Sequence, residues 1–175
     1  MSHVFVDEQA VAAREQRPSE GSAMVGPRVK GNGAAESMSS LDAQSIAVQW
    51  IREVFLPKKF GQSFTKKKLT LQSRTQHEFD AVSDDNEVVA AISFSAGTTA
   101  TGKVAADPLM KVRSDALWFL MLESTPTHRL MIFTDSTMVD LIKQEKKRDR
   151  FPRALEILKV KLPSGLAAGL RPPSG

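Results

Sequence analysis
The chain contains no cysteine. Disulfides and thiolate-held metals are therefore excluded, and a reducing compartment, the cytoplasm, is the expectation. No segment approaches the roughly 18 consecutive apolar residues of a membrane helix, so no membrane partner is expected. The first residues, MSHVFVDEQAVAAREQRPSEG, lack the basic head and apolar run of a secretory signal. Histidine is scarce. His3, His77 and His128 are scattered, with neither metal-ligand spacing nor a Ser/His/Asp set around them. There is no internal repeat. A large excess of one charge is missing too. The formal net charge is +4 over 175 residues, which permits an acidic partner such as nucleic acid without requiring one.

What is present fits one domain, since domains commonly run ~100–200 residues. Residues 1–38 are rich in small, polar and helix-breaking residues, as in Arg17-Pro18-Ser19-Glu20-Gly21-Ser22 and Val29-Lys30-Gly31-Asn32-Gly33-Ala34. Such composition cannot offset its ordering entropy by burial, so a tail is expected, with a short helix near Asp7–Arg14. Residues 164–175, with Gly165, Gly169, Pro172 and Pro173, read as a flexible C-terminal tail. The ordered domain is expected over 39–163.

Ser39 or Ser40 can cap a first helix, with Asp42 in its first turn. Ala43, Ala47, Trp50, Ile51, Val54 and Phe55 recur at helical spacing, and Pro57 is expected to end the helix. A basic connector follows: Lys58, Lys59, Lys66, Lys67, Lys68 and Arg74, with no acid between Pro57 and Arg74 and with Phe60 and Phe64 interleaved. Lys68–Ser73 alternates and predicts a first strand.

Gln76 to Ser95, QHEFDAVSDDNEVVAAISFS, is the most informative stretch. It predicts a β-hairpin turning at Asp84-Asp85-Asn86. Alternation places Phe79 and Ala81 on one face and Glu78, Asp80 and Val82 on the other. On the return strand Val88, Ala90, Ile92 and Phe94 share one side, and Val89, Ala91, Ser93 and Ser95 the opposite. A strand apolar on both faces belongs at the centre of a covered sheet. Beyond a Gly97–Gly102 loop, Pro108 to Glu123 reads as a helix, Arg129–Thr134 as a buried strand, Thr137 to about Arg148 as a helix capped by Ser136, and Leu155–Leu162 as a last strand.

The hairpin and this element order resemble the PD-(D/E)XK, or restriction-endonuclease-like, superfamily. The resemblance covers about Leu41 to Leu162. It implies an α/β fold: an αβββαβ core whose mixed sheet is flanked by helices, here with an αβ extension. In that family an Asp on one strand is followed, after roughly ten residues, by an acid, any residue and Lys on the next. Asp80 matches the Asp. Ala91 and Ser93 stand where the acid and the Lys would be.

In an active member two carboxylates and a carbonyl hold Mg²⁺, which polarises the phosphate and activates water. Ala91 has no ligand atom, and the Ser93 hydroxyl supplies no positive charge. The resemblance therefore implies a degenerate, non-catalytic protein, a pseudoenzyme that needs no cofactor and binds DNA or a protein partner. One alternative is an active Mg²⁺-dependent endonuclease, with Asp80 as metal ligand, Glu53 from the first helix as a relocated acid, and Lys103 or Lys111 as a relocated Lys. Another is a module that only binds protein. His77, three residues before Asp80, can border the pocket.

Two further features stand out. Gly97-Thr98-Thr99-Ala100-Thr101-Gly102-Lys103 matches GxxxxGK. Val104 follows it instead of a hydroxyl residue, and Asp107-Pro108 comes too soon for a helix starting at Lys103, so a plain loop is expected. Lys58, Lys59, Lys66, Lys67, Lys68 and Arg74 form one candidate nucleic-acid surface. Lys143, Lys146, Lys147, Arg148, Arg150 and Arg153, diluted by Glu145 and Asp149, form another.

Overall fold
The computed structural model describes residues 40–170. The expected tail at 1–38, with its helix near Asp7–Arg14, and residues 171–175 lie outside the described residues.

The domain is α/β. Five strands, β1 (Phe64–Thr70), β2 (Gln76–Ser83), β3 (Val88–Ser93), β4 (His128–Phe133) and β5 (Glu156–Lys159), form one open sheet in that spatial order. The β1–β2 and β2–β3 pairs are antiparallel, and β3–β4 and β4–β5 are parallel. Around them run α1 (Ser40–Trp50), α2 (Leu56–Phe60), α3 (Ala106–Leu120), α4 (Ser136–Lys147) and α5 (Ser164–Gly169). The described order is helix, three strands, helix, strand, helix, strand, with α5 added.

The sheet separates two cores. On one face Phe79, Val82, Val89, Met131 and Phe133 pack against Val112, Ala116 and Phe119 of α3 and Met138 and Ile142 of α4. On the other, Ala81, Val88, Ala90, Leu130 and Ile132 meet Ala47 of α1, Ile51 and Leu56. As the double-sided apolarity of Val88–Ile92 predicts, β3 is the middle strand, covered on both faces.

Several local expectations are corrected. Pro57 does not end the first helix. α1 passes through a π-helical stretch (Ile51–Phe55), where the Leu56 N–H reaches five residues back to the Ile51 carbonyl. The wider turn lets Pro57 fall in the first turn of α2, where its missing N–H costs nothing. Gly61 ends the run at φ 73°, a left-handed conformation that glycine accepts without a Cβ penalty. β1 begins at Phe64, earlier than the alternation at Lys68–Ser73 suggests. It is an edge strand, and its exposed lysines hinder pairing with another chain. Asp135, not Ser136, caps α4, accepting the Thr137 and Met138 N–H groups at 2.8 and 3.3 Å. β5 is four residues long, shorter than expected. Within the expected C-terminal tail, Ser164–Gly169 is helical, because Leu166, Ala167 and Leu170 find apolar cover against the second core.

Candidate functional site
The β2 strand does not keep the simple alternation of its sequence. Thr65 pairs with Val82, but Lys67 pairs with Phe79, so Asp80 and Ala81 together oppose Lys66. This β-bulge re-aims the side chains around it. Phe79 and Val82 both enter the α3-side core, whereas Ala81 enters the other. The expected grouping of Phe79 with Ala81 is thereby overturned.

The bulge brings Asp80 to a cavity of 200 Å³ lined by His77, Glu78, Phe79, Asp80, Ala91, Lys111 and Asp115. Lys111 and Asp115, four residues apart on α3, build the far side, and Trp118 follows on the same helix face. The Lys111 ammonium donates to the Asp115 carboxylate at 2.8 Å. Trp118 stacks on His77 with ring centroids 4.4 Å apart, and His77 meets the ring of Phe79 edge-on at 4.9 Å.

Charge at the site follows from this packing. Burial of the imidazole lowers the pKa of His77, outweighing the pull of Asp115, Asp80 and Glu78. Burial likewise raises the pKa of Asp80, and the Asp115 carboxylate adds to the rise. The Ile92 N–H, Lys111 and Lys66 oppose it. Glu78 is exposed and bonded to Lys66 at 2.6 Å, a hydrogen bond that lowers its pKa.

Asp80 has a definite structural task. The β2–β3 ladder pairs Ala81 with Ala90 and Val82 with Val89. At the next step the Asp80 carboxylate replaces a backbone carbonyl, and its Oδ2 accepts the Ile92 N–H at 2.8 Å. The Asp80 backbone carbonyl accepts from the Arg52 guanidinium at 3.3 Å. The first helix thus sends Arg52 to the hairpin, and not Glu53. Glu53 is exposed and bonds Gln49 at 3.1 Å.

Of the other sequence candidates, Lys111 reaches the cavity, and Ala91 forms part of its wall. Lys103 sits on an exposed loop away from it. Ser93 is buried, does not line the cavity, and accepts the Ser95 N–H at 3.4 Å. Asp115 was missed, although its spacing four residues after Lys111 was a readable helical pair. Arg52 was missed because nothing local links it to a strand 28 residues on.

The donor set does not fit Mg²⁺, which wants near-octahedral oxygen ligands. Asp80 Oδ2 is engaged, Ala91 offers only a methyl group, and Asp115 is paired with Lys111. Among the described residues no group of three or more His, Asp or Glu side chains is arranged to hold a metal ion.

The Gly97–Lys103 loop is no phosphate cradle. Its Thr99, Gly102 and Ala105 amides bond to the carbonyls of Lys103, Thr99 and Gly97 at 2.8–2.9 Å, and α3 begins only at Ala106. Gly97 packs against the first turn of α4, where an added Cβ would lie 2.6 Å from the Thr137 carbonyl oxygen.

The two basic groups differ. In the second, the buried Glu145 binds Arg113 and Arg150, and the Lys146 ammonium donates to the carbonyls of Arg153 and Leu155 at 3.2 and 2.6 Å. Arg153 pairs with Asp149. Much of that charge is committed to the fold. In the first, Lys66 pairs with Glu78 and Lys67 donates to Asn86 at 2.8 Å. The side chains of Lys58, Lys68 and Arg74 make no hydrogen bond or ion pair among the described residues. Phe64 is buried, and Phe60 packs between Phe64 and His128 at 6.0 and 5.5 Å, so this pair serves the core.

Comparison of the chain with protein-family models, curated proteins and solved structures finds no match. No helix among the described residues is long and apolar enough to cross a membrane.

Proposed function
We propose that the chain is a non-cleaving, nucleic-acid-binding protein on a restriction-endonuclease-like scaffold. One observation carries the first half. Asp80, the motif residue that remains, spends its carboxylate on the Ile92 N–H in a cavity where Ala91 stands in the place of a second acid. A carboxylate that completes a sheet and is held toward its neutral form by burial is a poor metal ligand. The nucleic-acid half rests on Lys58, Lys59, Lys68 and Arg74, exposed along the α2–β1–β2 edge. Their charge would meet phosphates and release counterions.

The test is fluorescence anisotropy with labelled single- and double-stranded DNA over a range of salt. Binding that weakens steeply with salt, and is lost when Lys58, Lys59, Lys68 and Arg74 are changed to Gln, supports the proposal. Absence of binding at low salt overturns it.

A second reading, a protein-binding module, is favoured by the outward face of α3. Met110, Leu117, Leu120 and Met121 are exposed there, with Leu117 at 56%. Clusters of exposed apolar side chains mark contact surfaces.

A further inference from the structure
A second and larger cavity, 790 Å³, opens at the carboxyl ends of β3, β4 and β5. It shares no lining residue with the Asp80 cavity. These three neighbouring strands run parallel, so their carboxyl ends lie along one edge of the sheet and the loops that leave them, with Phe94, Asp135 and Lys161, meet there. The volume lies within the roughly 300–1,000 Å³ range of small-molecule sites.

The lining divides into three chemistries. Phe94, Leu162 and Leu170 supply apolar walls, and the Phe94 ring is half-buried. Lys159 and Lys161, two residues apart, are exposed and make no ion pair or hydrogen bond through their side chains among the described residues. Asp135 caps α4 through Oδ1 alone. That oxygen takes the Thr137 N–H, the Thr137 hydroxyl and the Met138 N–H. Oδ2 accepts no bond within the described residues and is left for an outside donor.

We infer that this cavity binds a nucleoside monophosphate: the base against Phe94, the ribose hydroxyls on Asp135 Oδ2, and the phosphate between Lys159 and Lys161. An anion without a flat body would leave the apolar walls wet. An uncharged ring would leave both lysines unpaired, and an apolar ligand would strand Asp135. A ligand carrying a flat ring, a diol and an anionic end satisfies all three. This site goes beyond the proposed binding of nucleic-acid strands, which uses the α2–β1–β2 edge.

The experiment is isothermal titration of the full chain with adenosine monophosphate, and with adenosine and inorganic phosphate separately. The nucleotide binds saturably, and each fragment binds at least about tenfold more weakly, since each loses one set of contacts. The Lys159→Gln/Lys161→Gln variant changes two exposed side chains, so it keeps the wild-type melting temperature while losing nucleotide affinity by about tenfold or more. The Lys143→Gln/Lys147→Gln variant, which removes the same charge from two exposed positions of α4, binds the nucleotide like wild type. No binding at about 1 mM nucleotide, a concentration at which even a weak specific site fills, would overturn the inference. So would unchanged affinity in the Lys159/Lys161 variant, or an equal loss in the Lys143/Lys147 variant, which would make the effect one of net charge alone.

Discussion

The Asp80 carboxylate accepts the backbone N–H of Ile92 at 2.8 Å, at the step where the β2–β3 ladder would otherwise leave that donor without a partner. A single side chain therefore both closes the sheet and marks the wall of the α3-side cavity. Removing it tests a structural role separately from a chemical one.

Asp80→Ala leaves the Ile92 N–H without an acceptor and should cost about 1–3 kcal/mol in urea unfolding, the usual penalty for a half-buried orphan donor. Asp80→Asn keeps an oxygen acceptor and should cost less. Equal losses in the two variants would mean the hydrogen bond is not what Asp80 contributes.

The pH dependence has a definite sign. Burial raises the pKa of Asp80 in the folded chain. The folded state then holds this proton more tightly than the unfolded state. This group's contribution to stability falls as pH rises from its unfolded value through the raised folded one. Asp80→Asn does not titrate, so its stability relative to wild type should improve between pH 4 and pH 7. The opposite trend would show that a cation stabilises the ionised carboxylate more than burial penalises it.

Glu145 is buried and shared by Arg113 and Arg150. Glu145→Gln should cost about 1–3 kcal/mol, because it takes the charge out of two hydrogen-bonded pairs at once. Arg150→Ala leaves Arg113 in place, and the removed side chain is half-exposed, so the loss should stay under about 1 kcal/mol. Thermal or urea unfolding of the two variants decides. An Arg150→Ala loss as large as that of Glu145→Gln would make Arg150 the main partner.

Gly97→Ala should destabilise by about 1–3 kcal/mol, as overpacking does. Its new methyl would meet the backbone of Thr137 and Met138 at 2.6–2.7 Å. Wild-type stability for this variant would show that the Gly97 loop moves freely away from α4.

Much of this fold was legible in the sequence because apolar periodicity carries it. The run from Val88 to Ile92 announces a covered central strand, and the spacing of Val112, Ala116 and Phe119 announces a helix packed on the sheet. The site was legible only in part. His77, Asp80, Ala91 and Lys111 were singled out and line one cavity. The bulge that aims Asp80 has no sequence signature, because it depends on the register against Lys66 and Lys67. Arg52 contacts Asp80 only through the tertiary packing of the first helix. Pro57 misled because a π-turn absorbs it.

The most direct measurement of the central claim, that the Asp80 cavity is not a metal-dependent catalytic site, pairs two assays. One is Mg²⁺ titration by calorimetry, comparing wild type with Ala91→Glu. The other is cleavage of plasmid and single-stranded DNA with Mg²⁺ or Mn²⁺, comparing wild type with Asp80→Asn and Asp115→Asn. The expected result is no Mg²⁺ binding and no cleavage by wild type, with measurable Mg²⁺ affinity once a second carboxylate stands at position 91. Cleavage by wild type that disappears in Asp80→Asn or Asp115→Asn would contradict the claim and make the cavity a rebuilt nuclease site.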